Sequence, residues 1–245
     1  MSLATDEFVF LRDLVALHSG NVIPRRHTAM LEQRLMPVAG NAGAVDVHSL
    51  IRQLRQSTDR SLSERVAQAA TVNETRFFRD PSLFQSLQNT VLPEIIRRNR
   101  SRRQNRIWSA ACSSGQEPYS VAMLIHEHFP ELSDWDVKIV ASDLCEPMLQ
   151  RVREGRYSRL EIDRGLTRPQ LMRHFARVGN CWQINPDLQD LIDVRQVNLV
   201  HRWSYIGHFD LVLLRNALVY FKSETRTDIL KRLRGTLRPD GYLFI

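Results

Sequence analysis

The chain has 245 residues, 43% hydrophobic and 25% charged, an ordinary balance for a globular protein with room for one large domain or a small one joined to a mid-sized one. No apolar run approaches the ~20 residues of a membrane helix, and Asp6 and Glu7 interrupt any signal-peptide pattern, so a cytoplasmic chain without membrane insertion is expected. The net charge of +7 rests on 31 arginines, which suits an acidic partner, a nucleic acid or an anionic membrane, and three scattered cysteines (Cys112, Cys145, Cys181) suggest neither a disulfide framework nor a zinc site.

Residues 5–70 predict helices only. Phe8, Leu11, Leu14, Val15 and Leu17 fall at helical spacing, and Gly20 is the expected stop. A second helix over 24–35 turns Met30, Leu31 and Leu35 inward and leaves Arg25, Arg26 and Arg34 to an outer face, which also reads as simply solvated. Val47, Leu50, Ile51 and Leu54 predict a third helix, and Ser61 with Glu64 three residues on has the capping-box spacing that opens a fourth. Next comes Asn73-Glu74-Thr75-Arg76-Phe77-Phe78-Arg79, a polar run leading into an aromatic pair. Asp80 follows at an expected N-cap, with Pro81 at the first helical position. Backbone N–H groups and arginines at such a helix start can hold anionic groups. The helix expected over 80–96 carries Leu83, Leu87, Val91 and Ile95 along one side. Arg97-Arg98-Asn99-Arg100-Ser101-Arg102-Arg103 is then the densest charge run; it reads as a phosphate grip or as a solvated connector, without the aromatic residues of a single-strand binder.

From here the pattern alternates. Strands are expected over 107–112, 137–142, 209–214 and 242–245, with helices over 118–129, 146–154 and 223–237 and a turn at Pro239-Asp240-Gly241. Such alternation predicts a parallel sheet covered by helices, and the near-continuous apolar run at 209–214 predicts a strand buried on both faces. Residues 158–197 break the rhythm. They hold a short helix over 168–175 and a hairpin signal in which Val178, Trp182 and Ile184 flank Gly179-Asn180, so a small antiparallel insert is expected.

The candidates for chemistry gather at the expected carboxyl edge of that sheet. Trp108-Ser109-Ala110-Ala111-Cys112-Ser113-Ser114-Gly115 is a short strand ending in a small-residue loop, and Gln116-Glu117-Pro118 opens a helix, as at the front edge of a nucleotide-type site. The loop is too poor in glycine to cradle a pyrophosphate closely, but it admits a nucleoside with a compact tail. Asp143, ending the second strand, is placed to bond both ribose hydroxyls, or merely to cap the following helix. Arg215-Asn216 ends the long third strand, with Tyr220-Phe221 a turn later. Walker, G-x-G-x-x-G and H-E-x-x-H motifs are absent, as is any Cys-His or Ser-His pairing for nucleophilic work. The residues alone support an α/β enzyme that binds an adenosine-like cofactor.

These stretches resemble the CheR family, the S-adenosylmethionine-dependent methyltransferases of bacterial chemotaxis receptors. The likeness runs through the two motifs above, then Ala141-Ser142-Asp143, Gly155-Arg156-Tyr157, Asn198-Leu199 and Leu214-Arg215-Asn216-Ala217-Leu218-Val219-Tyr220-Phe221. It implies a Rossmann-like doubly wound methyltransferase sheet over 73–245 with a small β subdomain at about 158–197, behind an all-helical receptor-recognition domain over 1–72. It implies cofactor contacts at Asn73, Thr75, Arg79, Glu117, Asp143, Asn198, Leu199, Arg215 and Asn216, with Arg79 and Tyr220 at the site of methyl transfer. No metal is implied. The implied reaction methylates glutamate side chains on the cytoplasmic domain of chemoreceptors, giving glutamyl methyl esters and S-adenosylhomocysteine, with Arg25, Arg26 and Arg34 docking the receptor. A monomer is expected, without nucleic acid.

The chemistry agrees with that resemblance. A glutamate side chain ordinarily titrates near pH ~4.3 and is already ionised at neutral pH, so no general base is required. The sequence departs from the family pattern in places. Ser114-Gly115-Gln116 stands where Thr-Gly-Glu is common, and the hairpin at Gly179-Asn180 is shorter than in members that tether to a receptor's C-terminal peptide. The chain ends at Ile245, ahead of the family's Gly-x-Ser-Glu turn and last strand. A basic adaptor without activity and a methyltransferase acting on another protein or on nucleic acid stay open as alternatives.

Overall fold

A computed structural model describes residues 3–57 and 59–245, with Ser204 described by its backbone alone. Met1, Ser2 and Thr58, inside the region expected to form the helical domain, lie outside the described residues. The chain forms two units: Met1–Val72 with Asn198–Arg202 and Ala217–Lys231, and Asn73–Val197 with Trp203–Asn216 and Arg232–Ile245.

The first unit contains α1 (Thr5–Ser19), α2 (Thr28–Asn41), α3 (Val47–Gln56) and α4 (Arg60–Ala70). Leu11, Val15, Leu31, Leu35, Leu50, Ile51 and Val66 pack its core. Gly20 ends α1 at φ 72°, and a Cβ there would lie 2.4 Å from Val200 Cγ1, so both backbone and packing demand glycine. Several expectations change. Leu17 is exposed rather than inward. The cap of α4 is Asp59, whose carboxylate accepts from the Ser61 and Leu62 N–H groups, while Glu64 pairs with Arg60 instead of closing a box on Ser61. A charged acceptor just ahead of Ser61 wins the cap.

The arginines meant for one helical face are also split. Arg25 and Arg26 lie in a 3₁₀ turn, Arg25–His27, ahead of α2, because Pro24 holds extended backbone there. Arg26 is exposed, and Arg25 Nη2 donates to Thr5 Oγ1 at 2.7 Å. Arg34 is half-buried and donates to the Thr71 carbonyl, so it ties α2 to the end of α4 and does not join an outer face.

The second unit carries α5 (Pro81–Ser86), α6 (Leu92–Asn99), β1 (Gln104–Ala110), α7 (Gln116–His128), β2 (Asp136–Asp143) and α8 (Glu146–Glu154). Next come β3 (Arg156–Ser158), α9 (Arg159–Asp163), α10 (Arg168–His174), β4 (Phe175–Val178), β5 (Cys181–Ile184), α11 (Pro186–Gln189), β6 (Ile192–Gln196) and β7 (Phe209–Leu213). Last are α12 (Ser223–Thr236), which the boundary between the units divides, and β8 (Leu237–Phe244). The central sheet runs β6-β2-β1-β7-β8 with every neighbour parallel, and β7 is buried along its whole length. A second, antiparallel sheet runs β3-β5-β4, with Gly179-Asn180 as its two-residue loop.

Three boundaries differ from expectation. The insert begins at Arg156, and Ile192–Gln196 belongs to the central sheet as its edge strand beside β2. That strand escapes a sequence reading because Ile-Asp-Val-Arg-Gln is only half-buried and carries two charges. The helix expected over 80–96 is interrupted by a π turn, Leu87–Val91, and Pro93 follows within the first turn of α6. The expected Pro239-Asp240-Gly241 turn lies inside β8, as an irregularity of its pairing with β7.

Candidate active site

The strand order reverses between β1 and β7, which places a crevice outside their carboxyl ends. β1 runs there into the loop Ala111–Gly115, whose backbone is left-handed at Ala111 (φ 56°), Ser113 (φ 53°) and Gly115 (φ 91°). A left-handed non-glycine residue costs on the order of 1–2 kcal/mol, so neighbours must over-determine it. They do. Cys112 N–H donates to the Ser142 carbonyl, Ser113 N–H to Asp143 Oδ2, Ser113 Oγ to the Asn73 carbonyl, and Tyr157 OH to the Ser114 carbonyl, at 2.8–2.9 Å. At Gly115 a Cβ would lie 2.9 Å from Val152 Cγ2.

Asp143 closes β2 beneath this loop and is 7% exposed. Its Oδ1 accepts from Cys145 N–H at 2.9 Å and its Oδ2 from Ser113 N–H at 2.8 Å. Burial pushes its carboxyl above the usual range, and those N–H groups pull it partly back. Each carboxylate oxygen has about two acceptor positions, and the N–H groups of Ser113, Leu144 and Cys145 do not exhaust them, which leaves acceptor capacity for a diol. The alternative of a helix cap fails, since the N-cap of α8 is Cys145.

Glu117 sits in the first turn of α7, one of its oxygens accepting from Ser109 Oγ at 2.7 Å and the other from Arg215 Nη1 at 3.1 Å. Burial raises its carboxyl, while Ser109, Arg215 and Arg79 act in the opposite direction. Arg215 is itself 8% exposed in its side chain and also grips the Asp80 carboxylate. So Asp80, at φ 63°, makes no capping bond and serves as an anchor for Arg215 instead. Asp80 and Ser109 are the residues that sequence reasoning misses here. Pro81 disguises Asp80 by making it look like a cap.

The stretch 73–79 is pinned from several sides. Phe77 is fully buried with its ring edge-on to Tyr157 (4.9 Å) and Phe175 (5.7 Å), and Phe78 N–H donates to Ser120 Oγ at 2.9 Å. A Cβ at Gly165 would lie 2.1 Å from the Phe77 carbonyl oxygen, and Arg164 pairs with Glu74 at 2.9 Å. The insert therefore props up the motif that leads to Arg79. Arg79 is half-buried, donates to the Glu74 carbonyl at 3.2 Å, and has no carboxylate in ion-pair contact among the described residues.

The second unit thus gathers Asn73, Arg79, Glu117, Asp143 and Arg215 along one sheet edge, with half-buried Thr75 between the first two in the chain and exposed Asn216 (φ 56°) after Arg215. Asn198, Leu199 and Tyr220 belong to the first unit. Asn198 Nδ2 donates to the His18 carbonyl at 2.7 Å and its Oδ1 accepts from Val200 N–H at 3.1 Å; Leu199 is buried. Tyr220 is half-buried, and its carbonyl accepts from Val22 N–H at 2.7 Å. Two buried carboxylates beside a strained small-residue loop suit a ligand with a diol and a positive charge, and would repel a polyphosphate.

A model of the CheR methyltransferase family, its SAM-binding domain, matches residues 73–245. The chain belongs to the CheR methyltransferase family. A chemotaxis protein methyltransferase of Pseudomonas aeruginosa is 38% identical over 250 residues, covering 100% of this chain and 90% of that protein. One of Pseudomonas putida is 37% identical over 250 residues with the same coverage, 100% and 90%. Among solved structures, the glycopeptide N-methyltransferase MtfA is 14% identical with a TM-score of 0.38, covering 62% of this chain and 50% of that one. The cofactor of this CheR chain is S-adenosylmethionine, and the donor set fits it: Asp143 suits the ribose hydroxyls, and Glu117 suits the cationic tail. Among the described residues no helix is long and apolar enough to cross a membrane, and no group of three or more His, Cys, Asp or Glu is arranged to hold a metal ion.

Proposed function

We propose that this CheR chain methylates glutamate side chains on the cytoplasmic domain of chemoreceptors, giving glutamyl methyl esters, and that it works in the cytoplasm. The observation that carries this reading is Arg79. A half-buried guanidinium whose charge is felt by the Glu117 carboxylate, with no carboxylate in ion-pair contact among the described residues, suits an incoming carboxylate. When bound, S-adenosylmethionine supplies a methyl group on a good sulfur leaving group. Asp143 would hold the ribose and Glu117 the charged tail, with Arg215 and Ser109 fixing Glu117. The substrate carboxylate is ionised at neutral pH, so no side chain has to remove a proton, and both site carboxylates are free to serve binding alone. Arg79 and Tyr220 would orient the substrate oxygen, and positioning of this kind is worth up to roughly 7–11 kcal/mol. Asn73, Thr75, Asn198, Leu199 and Asn216 complete the proposed cofactor contacts.

Incubation with labelled cofactor tests this reading by offering a receptor cytoplasmic fragment and an RNA side by side. Label on the receptor fragment alone is expected. Label on RNA would transfer the activity to nucleic acid, and cofactor binding without label on any acceptor would favour an adaptor.

A further inference from the structure

The arginine run that spans the end of α6 takes no part in the site above, yet it lines a cavity. At the amino-terminal ends of β1, β7 and β8, the sheet edge opposite the cofactor loop, Arg98, Asn99, Arg102, His208, Asp210 and Arg238 surround about 560 Å³. That lies within the roughly 300–1,000 Å³ of small-ligand pockets. An irregular ladder makes its wall. Phe209 pairs with Leu237 and Leu211 with Tyr242, so residues 238–241 of β8 all stand against Asp210. Such bulges recur beside sites, where they re-aim side chains. Asp240 at φ 60° helps fix this one, as does Gly241, where a Cβ would lie 3.0 Å from the Arg238 carbonyl oxygen.

Asp210 organises the charge. It is 4% exposed and accepts from Arg102 Nη2 and, at 2.9 Å, from the Arg106 backbone N–H, with Arg238 Nη1 3.9 Å away. Arg238 donates to Gln104 Oε1 at 2.9 Å, and Arg98 donates to the Asp240 carbonyl while its guanidinium lies 5.6 Å from the Tyr242 ring. Each guanidinium has five donors in a planar fork, so being anchored through one nitrogen leaves others for a second partner. Three guanidiniums against one carboxylate also leave the cavity a surplus of two positive charges. We propose that this cavity is a binding site for a phosphate-bearing small molecule of about mononucleotide size, separate from the cofactor site.

The test is calorimetry on the full chain saturated with S-adenosylhomocysteine, which denies an adenosine group the cofactor site. Inorganic phosphate, pyrophosphate and ADP serve as probes at low salt. At least one probe binds, and Arg98→Gln with Arg238→Gln weakens that binding fivefold or more while S-adenosylhomocysteine affinity is unchanged. Arg102 is left in place, because its loss would strand the buried Asp210. Should the double variant fail to fold, Arg98→Gln alone, which gives up a bond to a backbone carbonyl, weakens binding in the same direction. ADP binding tightest identifies a nucleotide ligand, and pyrophosphate or phosphate tightest identifies the phosphate group as sufficient. Absence of binding by all three probes overturns the proposal, and so does a folded double variant that binds within fivefold of the native chain.

Discussion

Arg215 is the residue on which the cofactor edge turns, because one guanidinium holds both Glu117 and Asp80. Glu117 and Asp143 are buried carboxylates whose ionisation is opposed by desolvation. In each case the folded value is raised above the unfolded one. Their protonated forms therefore favour the unliganded fold at low pH, and that contribution is lost as pH rises through the raised folded values. A cationic ligand with a diol needs both groups ionised. Affinity for S-adenosylhomocysteine is expected to fall as pH drops from neutral into the range above ordinary carboxylates, and calorimetry across that range reads it. Asp143→Ala removes the proposed diol acceptor and is expected to weaken binding by about 1–3 kcal/mol; unchanged affinity in the folded variant would remove Asp143 from the site. Arg79→Ala behaves differently if its partner is the substrate. Turnover falls at least tenfold, about 1.4 kcal/mol in the barrier, with little change in cofactor affinity. Equal losses in rate and affinity would make Arg79 a cofactor ligand only.

At the scale of elements, the insert and the motif stretch form one piece. Phe77 lodges between Tyr157 and Phe175, and Gly165 lies against the Phe77 backbone. Gly165→Ala is expected to cost about 1–3 kcal/mol by overpacking against a backbone that cannot yield. A lowered Tm together with reduced cofactor affinity in this variant checks the claim, and a native Tm would refute it. None of this coupling is legible in the sequence, because it joins residues about ninety positions apart. What is legible is local: the alternation that sets the central sheet, the Gly179-Asn180 hairpin, the stop at Gly20, and the acid at the end of β2. Misreadings fall where a local rule has a competitor out of sight. Asp80 looks like a cap until Arg215 claims it, and β6 looks like loop because an edge strand buries only half its surface.

For the whole molecule, the helical unit is the proposed receptor-docking element. Of its three candidate arginines, Arg25 and Arg26 are exposed, while Arg34 is half-buried against the Thr71 carbonyl, so the test is made at Arg25 and Arg26. Receptor helices that carry substrate glutamates are acidic, so docking there is steered by charge and weakened by salt. Each exposed pair contributes only about 0–1 kcal/mol, so the effect needs both residues. Arg25→Glu with Arg26→Glu is expected to raise the KM for receptor at low salt and leave S-adenosylhomocysteine affinity intact; unaltered receptor kinetics would mark this turn as merely solvated. The central claim, that a carboxylate receives the methyl group, has a direct chemical signature. Receptor fragment labelled with methyl-labelled S-adenosylmethionine should release its label as methanol under mild alkali, and a fragment with its modified glutamates changed to glutamine should take up none. Alkali-stable label, or undiminished label on the glutamine fragment, would contradict the account.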